Sequence, residues 1–103
     1  MKLLLILCIE EYGDDVRKIL SSQGVPIYSE TDIHGFKTDT NKPDLSNWFA
    51  QKAGGTFSKL FFSIQPESSV KSVLDAIEEF NKASEDHSRY PIHAYQLAIE
   101  NQV

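Results

Sequence analysis

The chain predicts an α+β fold of the ferredoxin-like kind: a two-layer βαββαβ sandwich, with a four-stranded antiparallel sheet and two helices on one face. Three observations carry this. The 103 residues suffice for one two-layer core and are too few for two. The apolar pattern switches between period 2 and period 3.6 in a fixed order along the chain. Glycine, proline or dense polar residues fall at the switches. Residues 1–103 are therefore expected to form a single domain, interrupted by a long loop at 38–55.

Residues 3–9 are continuously apolar, as in a central strand covered on both faces or paired on both edges. Gly13 then breaks the run. Asp14 is placed to cap a helix, Asp15 adds negative charge to its first turn, and Val16, Ile19 and Leu20 recur on one face. Gly24 closes this helix in the left-handed conformation that a residue without Cβ adopts cheaply. Over residues 25–37, Val25, Ile27, Ser29, Thr31 and Ile33 alternate with Tyr28, Glu30, Asp32 and His34. That period predicts a long strand with its apolar side on the core and its polar side toward solvent or a partner. Pro26, which donates no ladder hydrogen bond, fits a strand start or an edge.

Residues 38–55 open with Thr, Asp, Asn, Lys and Pro and close with Gly54 and Gly55. A connection of that length exceeds the usual four to six or so residues of a compact domain. Trp48 and Phe49 lie inside it, where a short helix capped by Asp44 or Ser46 can form, either anchoring the loop or offering a partner an apolar contact. Residues 56–64, rich in Phe57, Leu60, Phe61, Phe62 and Ile64, read as a third strand. Pro66 and the polar residues 67–69 start a second helix, whose apolar face is Val70, Val73, Leu74, Ile77 and Phe80. A polar loop at 83–89 leads to a fourth strand at 91–99. There Ile92, Ala94, Gln96 and Ala98 point one way, and His93, Tyr95, Leu97 and Ile99 the other.

With both helices on one side, the apolar residues of the opposite sheet face need another cover, so a homo-oligomer is expected. A monomer with a polar open face, as in acylphosphatase-type domains, is the competing arrangement.

Composition removes several classes. A net charge of −5, with ten basic residues scattered among fifteen acids, does not suit a general nucleic-acid binder. The single cysteine, Cys8, allows neither an intrachain disulfide nor a cysteine-based zinc site, and fits a small buried apolar role in a reducing compartment. The run at 3–9 is too short to span a membrane, and Glu10 and Glu11 follow it where a signal peptide would need small residues. A cytoplasmic protein without membrane insertion is expected.

No phosphate-binding glycine loop, His pair at helical spacing or nucleophile elbow is present, so a binding protein is expected rather than an enzyme. Asp32 and His34, two apart on a strand, share a face and can meet a ligand or contribute to a divalent-metal site. Gly35, Phe36 and Lys37 follow at the lip of the long loop. His87 and Arg89, before the last strand, can reach a phosphate or carboxylate, whereas His93 suits core or interface.

The run from Asp14-Asp15-Val16-Arg17 through Gly24 to His34-Gly35-Phe36 resembles the start of PII-type nitrogen-regulatory proteins, and the later helix and strand fit the second half of that fold. The resemblance covers nearly the whole chain. It implies a homotrimer packed around its open sheet faces, with a small ligand, often an adenine nucleotide, in the cleft between subunits. It also implies that residues 38–55 sense the ligand and contact a target protein, such as a membrane transporter. Carried onto this chain, Gly35 and Phe36 form the base of that loop. His34 stands where the family pattern has Arg, and Lys37 where it has Gly. No tyrosine lies between Thr38 and Gly55, and Ser84-Glu85-Asp86-His87-Ser88-Arg89 replaces the glycine-rich phosphate cradle. The expected ligand is therefore a small anion, a different nucleotide or a metal ion. A metal-handling protein similar to the CutA trimers, using Asp32, His34 and one of Glu10 or His87, is the alternative.

Overall fold

The computed structural model describes residues 1–36 and 57–103. β1 (Lys2–Cys8) leads through a single 3₁₀ turn, Glu10–Tyr12, into α1 (Gly13–Ser22). β2 (Ser29–Asp32) and β3 (Lys59–Gln65) follow, then α2 (Glu67–Lys82), the short α3 (Glu85–Arg89) and β4 (His93–Ala98). The strands form one sheet in the order β2-β3-β1-β4, antiparallel at every step. This is the α+β, ferredoxin-like arrangement that the sequence predicts.

β1 is continuously apolar because it is paired on both edges, with Ile6 opposite Phe61 on one side and Ala94 on the other. Alternation then sorts its side chains. Leu4, Ile6 and Cys8 point toward the helices and join Phe61, Val16, Leu20, Val70, Val73, Ile77 and Ile92 in one buried cluster. On α2 the expected stripe is observed, with Val70, Val73 and Ile77 buried and Leu74 and Phe80 packed against the cluster.

The two helix ends are made differently. α1 begins two residues earlier than an Asp14 cap requires: Gly13 is itself helical, at φ −57°, Tyr12 stands at the cap position, and no side chain caps the start. Its C-terminus is a Schellman turn. Gly24 sits at φ 77°, Val25 N–H donates to the Leu20 carbonyl at 3.0 Å, and Gly24 N–H donates to Ser21 at 3.1 Å. Val25 then buries its side chain beside Leu20 in the core.

That turn shortens the second strand. Residues 25–37 were expected to be extended throughout, but ladder pairing covers only Ser29–Asp32. Val25 is spent on the helix cap and Pro26 has no N–H. The Ile27 carbonyl accepts the Ser63 hydroxyl at 2.6 Å. The alternation itself is correct, with a different assignment of faces. Glu30 and Asp32 lie on the helix side, opposite Phe61 and Lys59, and the apolar side of the strand faces away from the helices, leaving Ile27 73% exposed. β3 likewise joins the ladder at Lys59, later than expected. The expected polar loop at 83–89 instead holds α3, because the Ser84 hydroxyl accepts the His87 N–H at 3.1 Å while Glu85 and Asp86 fill the first turn.

Leu3, Leu5, Leu60, Phe62, Ile64 and Leu97 fall on the sheet face that carries no helix. Phe62, Ile64 and Leu97 remain 42%, 50% and 43% exposed. A polar open face is thereby excluded.

Gly24→Ala places a Cβ on a left-handed residue that has open space around it, so its cost is backbone strain alone. It should destabilise the protein by about 1–2 kcal/mol in urea unfolding without changing the folded circular dichroism spectrum.

Candidate functional site

The lip where β2 ends and β3 begins is organised by charge. Arg17, projecting from α1, forms a two-pronged pair with Glu30, Nε to Oε1 and Nη2 to Oε2, both at 2.7 Å. Its remaining Nη1 meets Asp14 one turn earlier, and its guanidinium carbon lies 6.0 Å from the Phe61 ring centroid. Lys59 lies across the sheet from Asp32 and donates to its carboxylate at 2.6 Å, with Glu30 Oε2 at 3.8 Å. Signs therefore alternate from Asp14 through Arg17, Glu30 and Lys59 to Asp32. The two cations are the less exposed members beside the outermost aspartates, and Lys59 is the most enclosed of all.

These contacts set the protonation of the lip. The hydrogen bond from Arg17 holds the Glu30 carboxyl below its usual range against a smaller opposing effect of burial. The hydrogen bond from Lys59, and then its charge, do the same for Asp32. Lys59 is raised in turn by Asp32. Cys8, next to Lys59 in the β1–β3 register, is pushed up to about 12 by burial, so its thiol stays protonated and inert at neutral pH.

Pairing continues past the ladder toward the long connection. Ile33 N–H donates to the Ser58 carbonyl at 2.9 Å, and Ser58 N–H to Cys8 at 3.1 Å. His34 and Phe36 are exposed just beyond, with Gly35 between them partly covered. Phe57, on the returning side, is buried edge-on against His93, with ring centroids 5.3 Å apart. Lys37, Trp48 and Phe49 lie outside the described residues, as does all of 38–55.

The other sequence candidates are at the same end of the sheet but on the opposite edge. His87 stacks on Phe80 at 3.8 Å and meets Tyr12 edge-on at 5.2 Å. Its Nδ1 lies 2.8 Å from the Phe80 carbonyl. Nδ1 carries the proton in that contact, because a carbonyl oxygen can only accept. Arg89 pairs within α3, with Glu85 at 3.4 Å and Asp86 at 3.9 Å. β3 and β1 separate the two edges, which at about 4.8 Å per strand amounts to ~14 Å. The side-chain contacts of these residues do not join Asp32 or His34 to His87 or Arg89. Among the described residues no three His, Cys, Asp or Glu side chains converge on a possible metal position, and Asp32 already holds an ammonium. His93 is half-buried as expected of a core or interface residue, and burial lowers its pKa.

Sequence reasoning missed Arg17, Glu30 and Lys59. The available signal was the alternation itself: Glu30 and Asp32 share a strand face, and an inward carboxylate needs a cation from the facing element.

The sequence matches no protein-family model and no curated protein. Solved structures do match. CPII of Thiomonas intermedia K12, a nitrogen regulatory PII-like protein bound to ADP, AMP and bicarbonate, superposes with a TM-score of 0.60 at 15% identity, covering 99% of this chain and 94% of that one. The fold is that of the PII-like proteins. The apo form of the same protein superposes at 0.58 and 17% identity over 93% of this chain and 89% of that one. A DUF3240 family protein from Shewanella baltica OS155 superposes at 0.64 and 16% identity over 99% and 92%. Among the described residues no helix is long and apolar enough to cross a membrane.

The lip predicts an acid response. Glu30 and Asp32 titrate below their unfolded values, so the folded state binds fewer protons in the acid range. Their stabilisation is complete above about pH 5 and is lost as pH falls through the lowered folded values. Urea unfolding followed down to about pH 3 should show stability declining, and Glu30→Gln should lower stability at neutral pH while flattening that decline.

Proposed function

We propose that this protein is a non-enzymatic PII-like regulatory subunit that assembles as a homotrimer through its open sheet face. It binds a small ligand in the cleft between subunits and contacts a target protein through residues 38–55. The observation that carries this is the uncovered apolar face, with Phe62, Ile64 and Leu97 each exposed by two-fifths or more on a sheet whose other side is sealed by helices. An apolar surface of that kind calls for a partner, and further copies of the same chain can supply it through heterologous contacts that close into a ring.

Ring closure also addresses the split site. Packing three sheets in a ring sets the β2 edge of one copy beside the β4 edge of the next. The charged lip at Asp32 and His34 then approaches the neighbour's His87 and Arg89, although one chain holds them apart. The ligand best suited to such a cleft is an anion. Lys59, Arg17 and Arg89 are cations within reach of the two rims, each held by carboxylates that a phosphate or bicarbonate can displace. CPII, which holds ADP, AMP and bicarbonate, makes adenine nucleotides and bicarbonate the first compounds to test.

Analytical ultracentrifugation should give three times the chain mass for the wild type. Phe62→Glu, which adds charge at a site that is solvent-accessible in the single chain, should give monomer with an unchanged circular dichroism spectrum. A monomeric wild type contradicts the assembly. In a thermal-shift series with ADP, AMP, bicarbonate and divalent metal salts, at least one of the anions should raise the melting temperature of the trimer, and Phe62→Glu should abolish the rise. A response to metal alone, lost in His34→Ala, would instead favour metal handling.

A further inference from the structure

We propose that His93 makes assembly through the open sheet face pH-dependent: protonation of one imidazole per copy on that face separates the subunits in mildly acidic solution. This rests on the trimer proposed for the face, and adds the condition under which the trimer comes apart.

Register divides the strand side chains into two sets. Leu4, Ile6 and Cys8 face the helices, and Lys2 shares their parity on β1; Lys59 lies opposite Cys8 on β3, and Asp32 and Glu30 lie on the same side of β2. Every charged residue of the four strands therefore falls on the helix side. The opposite face is built of leucine, phenylalanine and isoleucine on β1 and β3, serine and threonine on β2, and His93, Tyr95 and Leu97 on β4. Tyr95, whose pKa is raised by burial, ionises far above neutrality. A face kept free of fixed charge has the composition that burial against another copy requires. His93 is the one strand residue on it that acquires charge near neutral pH.

Among the described residues no carboxylate pairs with the His93 imidazole. Leu7 lies opposite it on β1, the buried Phe57 ring meets it edge-on at 5.3 Å, and Tyr95 stacks on it at 6.5 Å from the same strand. From α2, Asp75 and Glu78 share with His93 the groove between that helix and β4, but their partners are Lys71 at 3.6 Å and Lys82 at 3.9 Å. Asn81, on the same groove, is neutral and spends its amide on the Ile92 N–H and carbonyl, both at 2.9 Å. Burial accordingly lowers the pKa of His93 already in the single chain.

Covering the face deepens that effect. An imidazolium beneath a second copy loses its remaining water without gaining a counter-ion, so the assembled state holds the proton less readily than the separated chain. A group whose pKa falls on assembly leaves the assembly intact above the pKa of the separated chain and opposes it as pH falls below that value. With one imidazole per copy, the association constant of a trimer falls by as much as about a thousandfold per pH unit in that range. Glu30 and Asp32 are held below the ordinary carboxylate values and titrate at lower pH than this.

The test is sedimentation velocity on the full chain at fixed concentration, from about pH 7.5 to about pH 5, beside His93→Gln, whose side chain is polar and cannot charge. The wild type should pass from trimer to monomer with its circular dichroism spectrum unchanged, and His93→Gln should stay trimeric throughout. A second measurement needs no substitution. Followed by NMR in the wild type, the His93 imidazole should titrate at higher pH on dilution, because protonation and dissociation are linked. A wild type that is monomeric even at about pH 7.5 overturns the assembly itself, and this proposal with it. Three results overturn this proposal alone: a wild type trimeric across the whole range, an acid dissociation that His93→Gln retains, or a His93 titration independent of protein concentration.

Discussion

Everything in this fold depends on β1 being hydrogen-bonded along both edges. Seven consecutive residues, Lys2–Cys8, pair with β3 on one side, and six of them pair with β4 on the other. A strand so placed has no polar flank to offer solvent, which is why its sequence is apolar at both parities. The same placement forces the connections. α1 and α2 each link strands separated in the sheet by a third, and crossovers of one hand deposit both helices on one face. Their burial closes the core over Leu4, Ile6 and Cys8. Leu3 and Leu5 are left on the other side, together with Phe62, Ile64 and Leu97. The uncovered face is thus a consequence of topology, and its apolar composition sets this chain apart from a free-standing domain of the same fold.

The edge strand β2 is held by a different interaction. Its four residues are exposed and contribute little to the core, so its position depends on the ladder with β3 and on the fork between Arg17 and Glu30. A planar guanidinium bound through two nitrogens fixes direction as well as distance. It ties the first turns of α1 to the middle of β2, while Lys59 and Asp32 tie β2 to β3 two residue pairs further on. Ion pairs at a surface add modest stability, and their greater effect is geometric. They hold Asp32, His34 and Gly35 at a defined place where the chain leaves the sheet. Ligand binding that drew Lys59 or Arg17 away would alter that exit directly.

Element order and core were legible in the sequence because both follow from periodicity. Val70, Val73 and Ile77 could only be one face of a helix, and the unbroken run at 3–9 could only be a central strand. Gly24 was legible as a helix end, although the consequence for Val25 was not: a Schellman turn takes the next residue into the core and so delays the strand. The lip was half legible. Asp32 and His34 stood out by type and spacing, but Arg17 and Lys59 became members of the site only through the register that sets Asp32 opposite Lys59. Register is a long-range property, and no local pattern encodes it. The surroundings of His87 were hidden for a related reason: Phe80, two residues before the end of α2, supplies both a ring to stack on and a carbonyl to hold Nδ1, and only the packing of α3 on α2 brings them together.

The two sheet edges are treated asymmetrically, and the asymmetry bears on how the surfaces divide their work. β2 is short, exposed and flanked by Glu30, Lys59 and Asp32, the kind of charged edge that resists indiscriminate pairing. β4 is longer and bears no formal charge among its residues other than through His93. Its one visible safeguard is Asn81, which satisfies Ile92 from the helix side and stops there. An edge guarded at one end and backed by an apolar groove differs from one guarded throughout.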